Sequence, residues 1–141
     1  MSLSNAESLS AAYAAGFWEA AERGVLAIQH CETCGEDQLY PRRRCVTCGA
    51  ADLTYRPVSG LGSLYSFSTV LANAPSDFID EMPYTLAIVE LDEGPRLLTR
   101  IDSDDPAALR CDMPVQCVFR ERDGATLPYF VPAAGTDGGP A

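Results

Sequence analysis

Lysine is absent from this chain of 141 residues: all ten cationic side chains are Arg, set against twenty Asp and Glu. Lysine chemistry is therefore excluded. Histidine occurs once, at position 30, which leaves a Ser-His-Asp or Cys-His catalytic device little to build on. A cationic surplus is also missing, since the formal charge is −10 and the pI about 4.3. Such a surface repels phosphate backbones and anionic lipid, so nucleic acid starts as a disfavoured partner. No apolar run approaches the roughly 18 to 20 residues of a membrane helix; no aliphatic stretch is longer than Leu86 to Val89. The opening Met-Ser-Leu-Ser-Asn-Ala-Glu has no basic segment leading into an apolar core, so no secretory signal is read and a cytoplasmic location is expected.

The length suits one domain or a domain with a small appendage, and 47% hydrophobic residues supply a core of ordinary size. Four segments are expected: a helical segment over 1–24, a cysteine-punctuated module over 25–56, a β region over 57–132 and a Gly-rich, disordered tail over 133–141. Leu9, Tyr13, Phe17 and Ala21 recur every fourth position and predict a helix over 5–24, weakened by Gly16 and stopped by Gly24. In the β region, strands are expected near 62–72, 84–92, 95–102, 114–122 and 127–131. Asp92-Glu93-Gly94-Pro95 and Arg122-Asp123-Gly124-Ala125 read as tight turns between antiparallel neighbours. Asp104 to Leu109 reads as a helical turn with proline at its start. Three strands, a short helix and two strands give the order of a five-stranded OB-fold barrel, so the fold class is mainly β. Ser59-Gly60-Leu61-Gly62-Ser63 lacks the Gly-Lys-Ser/Thr of a phosphate loop and is expected to let the first strand bend around the barrel.

The strongest chemical signal is a pair of matched knuckles, Cys31-Glu-Thr-Cys34-Gly35 and Cys45-Val-Thr-Cys48-Gly49. Four thiolates at this spacing can close tetrahedrally on one structural Zn²⁺, with Zn–S distances of about 2.3 Å and no position open for substrate. The glycine after each pair allows the turn that aims backbone amides back at sulfur. Iron in a rubredoxin-like carrier and a dithiol switch are the alternatives for these cysteines. His30 is read as a strand residue beside the metal. Cys117 shares an alternating face with Val115 and Phe119 and is expected to be a buried, inert thiol, while Cys111 lies in a loop beside Asp112. Arg42, Arg43 and Arg44 form the one concentrated positive charge, suited to a phosphorylated ligand or acidic partner, or else a solvated loop offsetting the dianionic zinc-thiolate centre.

Together these features resemble a family of small bacterial and archaeal proteins with an N-terminal helix, a rubredoxin-like zinc ribbon and a C-terminal OB-fold. The likeness spans roughly residues 17–132. It rests on Phe17-Trp18-Glu19, both knuckles, Pro41-Arg42, Ser59-Gly60-Leu61-Gly62, Pro83-Tyr84, Val89 to Gly94, Met113-Pro114-Val115, and Leu127-Pro128 with Phe130 and Pro132. One departure is Cys111-Asp112, where the family often has an apolar residue and Gly. The resemblance implies an accessory subunit that partners thiolase-like enzymes, lipid-transfer-type aldolases or hydratases acting on acyl-CoA. No catalytic residue carries over. In that reading the barrel docks on the enzyme or helps enclose the CoA-linked substrate, with Phe17, Trp18 and Arg42 to Arg44 as candidate contacts. Two rival functions remain: single-stranded nucleic-acid binding, which OB-folds often perform, and autonomous thioester chemistry through Cys111 or Cys117.

Overall fold

A computed structural model describes residues 14–122 and 124–133 of the chain. A helix, α1, runs over 14–22, and buried Ala14, Ala20 and Ala21 with half-buried Phe17 form its inner stripe. Its end is a Schellman closure: the Val25 N–H reaches the Ala20 carbonyl and the Gly24 N–H the Ala21 carbonyl, both at 2.9 Å. The stop at Gly24 is thus as expected; the predicted first turns, residues 5–13, lie outside the described residues. Gly16 does not interrupt the helix. A Cβ there would stand 2.4 Å from the Tyr55 ring, so the missing side chain is what lets α1 lie against that ring.

Three short strands follow, β1 (Ala27–Cys31), β2 (Asp37–Gln38) and β3 (Leu53–Pro57), in an antiparallel sheet of order β2-β1-β3. The five remaining strands are β4 (Leu61–Val70), β5 (Tyr84–Leu91), β6 (Arg96–Ile101), β7 (Pro114–Arg122) and β8 (Ala125–Pro132). They close a barrel in the order β4-β5-β6-β8-β7, with β7 returning to β4. This is the OB-fold, and the chain is mainly β as the turn and strand pattern predicts. Three details differ from expectation. The last strand begins at Ala125 rather than near 127, because it pairs with β7 from the turn onward, Arg122 opposite Ala125. Not every neighbour is antiparallel: β6 and β8 meet in parallel, at the single pair Ile101–Phe130. And Ala133, assigned to a disordered tail, donates its N–H to the Pro114 carbonyl at 3.1 Å; the rest of the tail, 134–141, lies outside the described residues.

The predicted turn after β6 is a short 3-10 turn, Pro106–Ala108, and a second 3-10 turn, Ser76–Glu81, lies in the connection from β4 to β5. Gly62 serves a closer purpose than bending: a Cβ would sit 2.4 Å from the Glu90 carbonyl oxygen, so its absence lets β4 approach β5. Asp112 takes φ 72°, which an aspartate tolerates better than most residues, and the turn before Met113 survives. One apolar cluster joins Leu26, Ile28 and Leu39 of the three-stranded region to Leu64, Val89, Val115 and Phe130 of the barrel. Among the described residues, no helix is long and apolar enough to cross a membrane.

Candidate metal centre and apolar cleft

The two knuckles are built alike. In the first, the Gly35 N–H bonds the Cys31 carbonyl at 2.8 Å and the Cys31 N–H the Glu36 carbonyl at 2.9 Å; in the second, Gly49 bonds Cys45 at 2.9 Å and Cys45 bonds Ala50 at 2.8 Å. Gly35 and Gly49 both take φ 81°, the left-handed conformation that closes each loop with little strain. Backbone amides then face sulfur: Cys34 N–H to Cys31 Sγ at 3.5 Å, and Thr47 and Cys48 N–H to Cys45 Sγ at 3.3 and 3.5 Å.

All four Sγ atoms of Cys31, Cys34, Cys45 and Cys48 lie within 4.8 Å of one another. The cross-knuckle pairs Cys31–Cys48 and Cys34–Cys45 are each 3.6 Å apart. A tetrahedron with metal–sulfur bonds of about 2.3 Å has edges of about 3.8 Å, so the cluster fits one zinc-sized ion. It is far too open for two disulfides, whose sulfurs stand about 2.05 Å apart. Titrated as thiols, the group is uneven. The Cys48 amide is the main influence drawing Cys45 down to about 6, with the Thr47 amide assisting. At Cys34 the lowering by the Glu36 amide is outweighed by desolvation and the neighbouring thiols, which push it up to about 12. A cation replaces these shared protons with four metal–sulfur bonds.

His30 lies in β1 as expected, with Nδ1 2.6 Å from the Asp37 carboxylate, and so is tied down inside the sheet. The Arg42 to Arg44 loop is exposed, and its backbone is held by buried side chains. Gln29 receives the Arg42 N–H and donates to the Arg42 carbonyl, both at 2.9 Å, and Gln38 donates to Gln29 at 2.7 Å. The Arg44 guanidinium bonds the Gly49 carbonyl at 3.1 Å, beside the second knuckle. Cys117 is half-buried rather than buried, because it packs at the margin of the core cluster and not within it; burial still pushes its thiol up to about 12. Cys111 is exposed.

A cleft of about 780 Å³ runs between α1, the loop after β2 and the wall formed by β5, β6 and β8. Phe17 and Trp18 line it, ring edge to face at 4.9 Å, and Tyr40 and Pro41 face it just before Arg42. The structure therefore brings the aromatic pair and the start of the arginine loop to one edge. Phe17 packs partly against the core, whereas Trp18 is 42% exposed. Sequence reasoning missed Tyr40, Leu86 and Leu98, which complete the exposed apolar surface. A signal existed: Leu97-Leu98 in one strand must point one leucine outward. It also missed a cluster at the cleft's end. Glu81, from the 3-10 turn, gives one carboxylate oxygen to Arg100 and the other to Arg122. Arg100 also bonds Asp102 at 3.1 Å, and Arg120 reaches Asp102 at 3.7 Å. Hydrogen bonds from Arg100 and then Arg122 hold the Glu81 carboxyl below its ordinary range.

Comparison with known proteins fits this layout. The family description "ChsH2, rubredoxin-like zinc ribbon domain" matches residues 18–54, and "ChsH2, C-terminal OB-fold domain" matches 55–120. A DUF35 domain-containing scaffold protein of Methanocaldococcus jannaschii is 35% identical over 100 residues, covering 70% of each chain. This chain belongs to the DUF35 family. A solved structure, the Ltp2-ChsH2(DUF35) aldolase, superposes on this DUF35 chain with a TM-score of 0.78 at 35% identity, covering 86% of this chain and 94% of that one. A probable enoyl-CoA hydratase alpha subunit of Thermomonospora curvata is 39% identical over 119 residues, or 83% of this chain. This chain spans only 37% of that relative's length. In this DUF35 chain the zinc ribbon is the rubredoxin-like module, with four cysteines positioned to bind one metal ion.

Proposed function

We propose that this DUF35 chain is a noncatalytic accessory subunit that docks on an acyl-CoA enzyme of thiolase or aldolase type, stabilising or completing it. Cys31, Cys34, Cys45 and Cys48 hold a structural zinc whose four sulfur ligands leave no position for chemistry. The observation that carries the reading is the apolar surface of Trp18, Tyr40, Leu86 and Leu98, which are between 40% and 61% exposed along one cleft. Large apolar side chains grouped around a concavity mark a surface that another molecule covers. Phe17, Trp18 and the Arg42 to Arg44 loop would form the docking edge, aromatic anchor beside arginine forks, and the cleft behind them would face the acyl part of the CoA-linked substrate. The relatives named as an aldolase complex and a hydratase alpha subunit support this choice of partner.

The test is purification of the tagged full chain from its own cells at low and moderate salt, with the co-eluting protein identified and zinc measured in the same fraction. A stoichiometric acyl-CoA enzyme is expected with wild type. Trp18→Ala should lower its recovery about tenfold or more, a hot-spot loss, with one zinc per chain retained. Equal recovery from the variant, or nucleic acid in place of the enzyme, overturns the reading.

A further inference from the structure

The end of the cleft is already arranged around a carboxylate. Glu81 reaches it from the Ser76–Glu81 turn, and its two oxygens are taken one each by Arg100 of β6 and Arg122 of β7. Aromatic rings brace both guanidinium groups: Arg100 stands 5.3 Å from the Tyr84 ring centre and 5.5 Å from Tyr129, and Arg122 4.2 Å over Phe78. Both arginines are only about a fifth exposed, so their planes are fixed by packing and ready for a two-oxygen anion. Arg120 joins the same group through Asp102, which it shares with Arg100.

Glu81 is carried by a segment that Phe78 anchors against Tyr84 and Arg122 but that also keeps apolar side chains in the open. Leu71 and Ile79 in the same connection are 75% and 51% exposed, so much of its apolar surface faces solvent. Beyond the arginines the cleft wall is apolar, formed by Leu97, Leu98, Leu86, Pro128 and Trp18. A second pocket of about 210 Å³, with Asp102, Ser103 and Thr85 in its lining, shares Arg100 and Tyr84 with the cleft. Polar and apolar compartments therefore meet at Arg100.

From this juxtaposition we propose that the cleft binds an apolar carboxylic acid, its carboxylate displacing Glu81 from Arg100 and Arg122 and its hydrocarbon body lying toward Trp18. The exchange keeps both arginines paired, so the ligand replaces one carboxylate with another and gains burial of its hydrocarbon. A free acid, rather than its neutral thioester, is the species this end of the cleft selects. The proposal rests on the reading of the cleft as an acyl-accepting surface, but it is measured on the isolated full chain. Its failure is thus separate from failure to recover a partner enzyme.

Trp18 is the chain's one tryptophan and lines the cleft, so its emission reports occupancy directly. Dodecanoate, titrated below its micelle concentration into the zinc-loaded protein, should shift that emission saturably. Dodecanol and CoA alone should bind at least about tenfold more weakly, the loss expected for a missing charge-assisted pair. Glu81→Gln should tighten dodecanoate binding several-fold by removing the internal competitor, and Arg122→Met should weaken it about tenfold, with far-UV circular dichroism and zinc content unchanged in both. Equal binding of dodecanol, an equal response to CoA, no saturable shift, or an unaltered affinity in Glu81→Gln each overturns the proposal; the first three are read on the unsubstituted protein.

Discussion

At the residue scale, the two cysteines outside the ribbon make contrasting tests. Burial holds the Cys117 thiol at about 12, so almost none is thiolate at mildly alkaline pH, whereas Cys111 is exposed. Iodoacetamide applied to the zinc-loaded protein should label Cys111 quickly and Cys117 only upon unfolding, as read by peptide mass spectrometry. Rapid labelling of Cys117 would reopen thioester chemistry there. Gly16 offers a second test in which two effects oppose. Alanine favours helix over glycine by about 1 kcal/mol, but its Cβ would stand 2.4 to 2.8 Å from three atoms of the Tyr55 ring. Overpacking of this kind costs about 1 to 3 kcal/mol, so Gly16→Ala should destabilise the protein in urea despite the better propensity. The metal ligands were legible in the sequence because ligand spacing is local. Glu81, Arg100 and Arg122 were not, since 19 and 41 residues separate the glutamate from its partners and only the fold brings them together.

At the scale of elements, the strands of the barrel could be read because turn signals bracket them and burial alternates, as in β5, where Ala87, Val89 and Leu91 face the core. The connection carrying Glu81 gave no such periodicity, and its 3-10 turn is held by tertiary contacts instead. Those contacts predict an acid response. With its carboxyl held below the ordinary value of 4.5, Glu81 adds stability that is fully present above that value and lost as pH falls through the lower folded one. Wild type should therefore lose more stability than Glu81→Gln as pH drops below about 4.5, and the two curves should converge in strong acid. Thermal melts across that range check the sign. The parallel β6–β8 contact was equally hidden, because one pair of residues leaves no pattern in either strand.

At the scale of the whole molecule, the ribbon and barrel share one apolar cluster, so the metal should stabilise more than its own loops. Removing zinc with a chelator should lower the melting temperature of the barrel as well, measured by loss of β-sheet signal, in one transition rather than two. A barrel transition that ignores the chelator would show the parts to be independent. The sequence marks the ribbon and the barrel as separate stretches because their patterning changes near residue 57; it cannot show that Leu26, Ile28 and Leu39 pack into the same interior as Phe130. One bond makes the dependence concrete. Where β6 lacks a strand neighbour, the Leu98 N–H is satisfied at 3.1 Å by the hydroxyl of Tyr40, from the loop after β2. The barrel thus borrows a hydrogen bond from the neighbouring module to finish its own wall. A designer who excised residues 57–132 as a portable unit would carry away a ring with an open seam, and grafting would succeed only if the new host supplied a donor-accepting side chain at that gap.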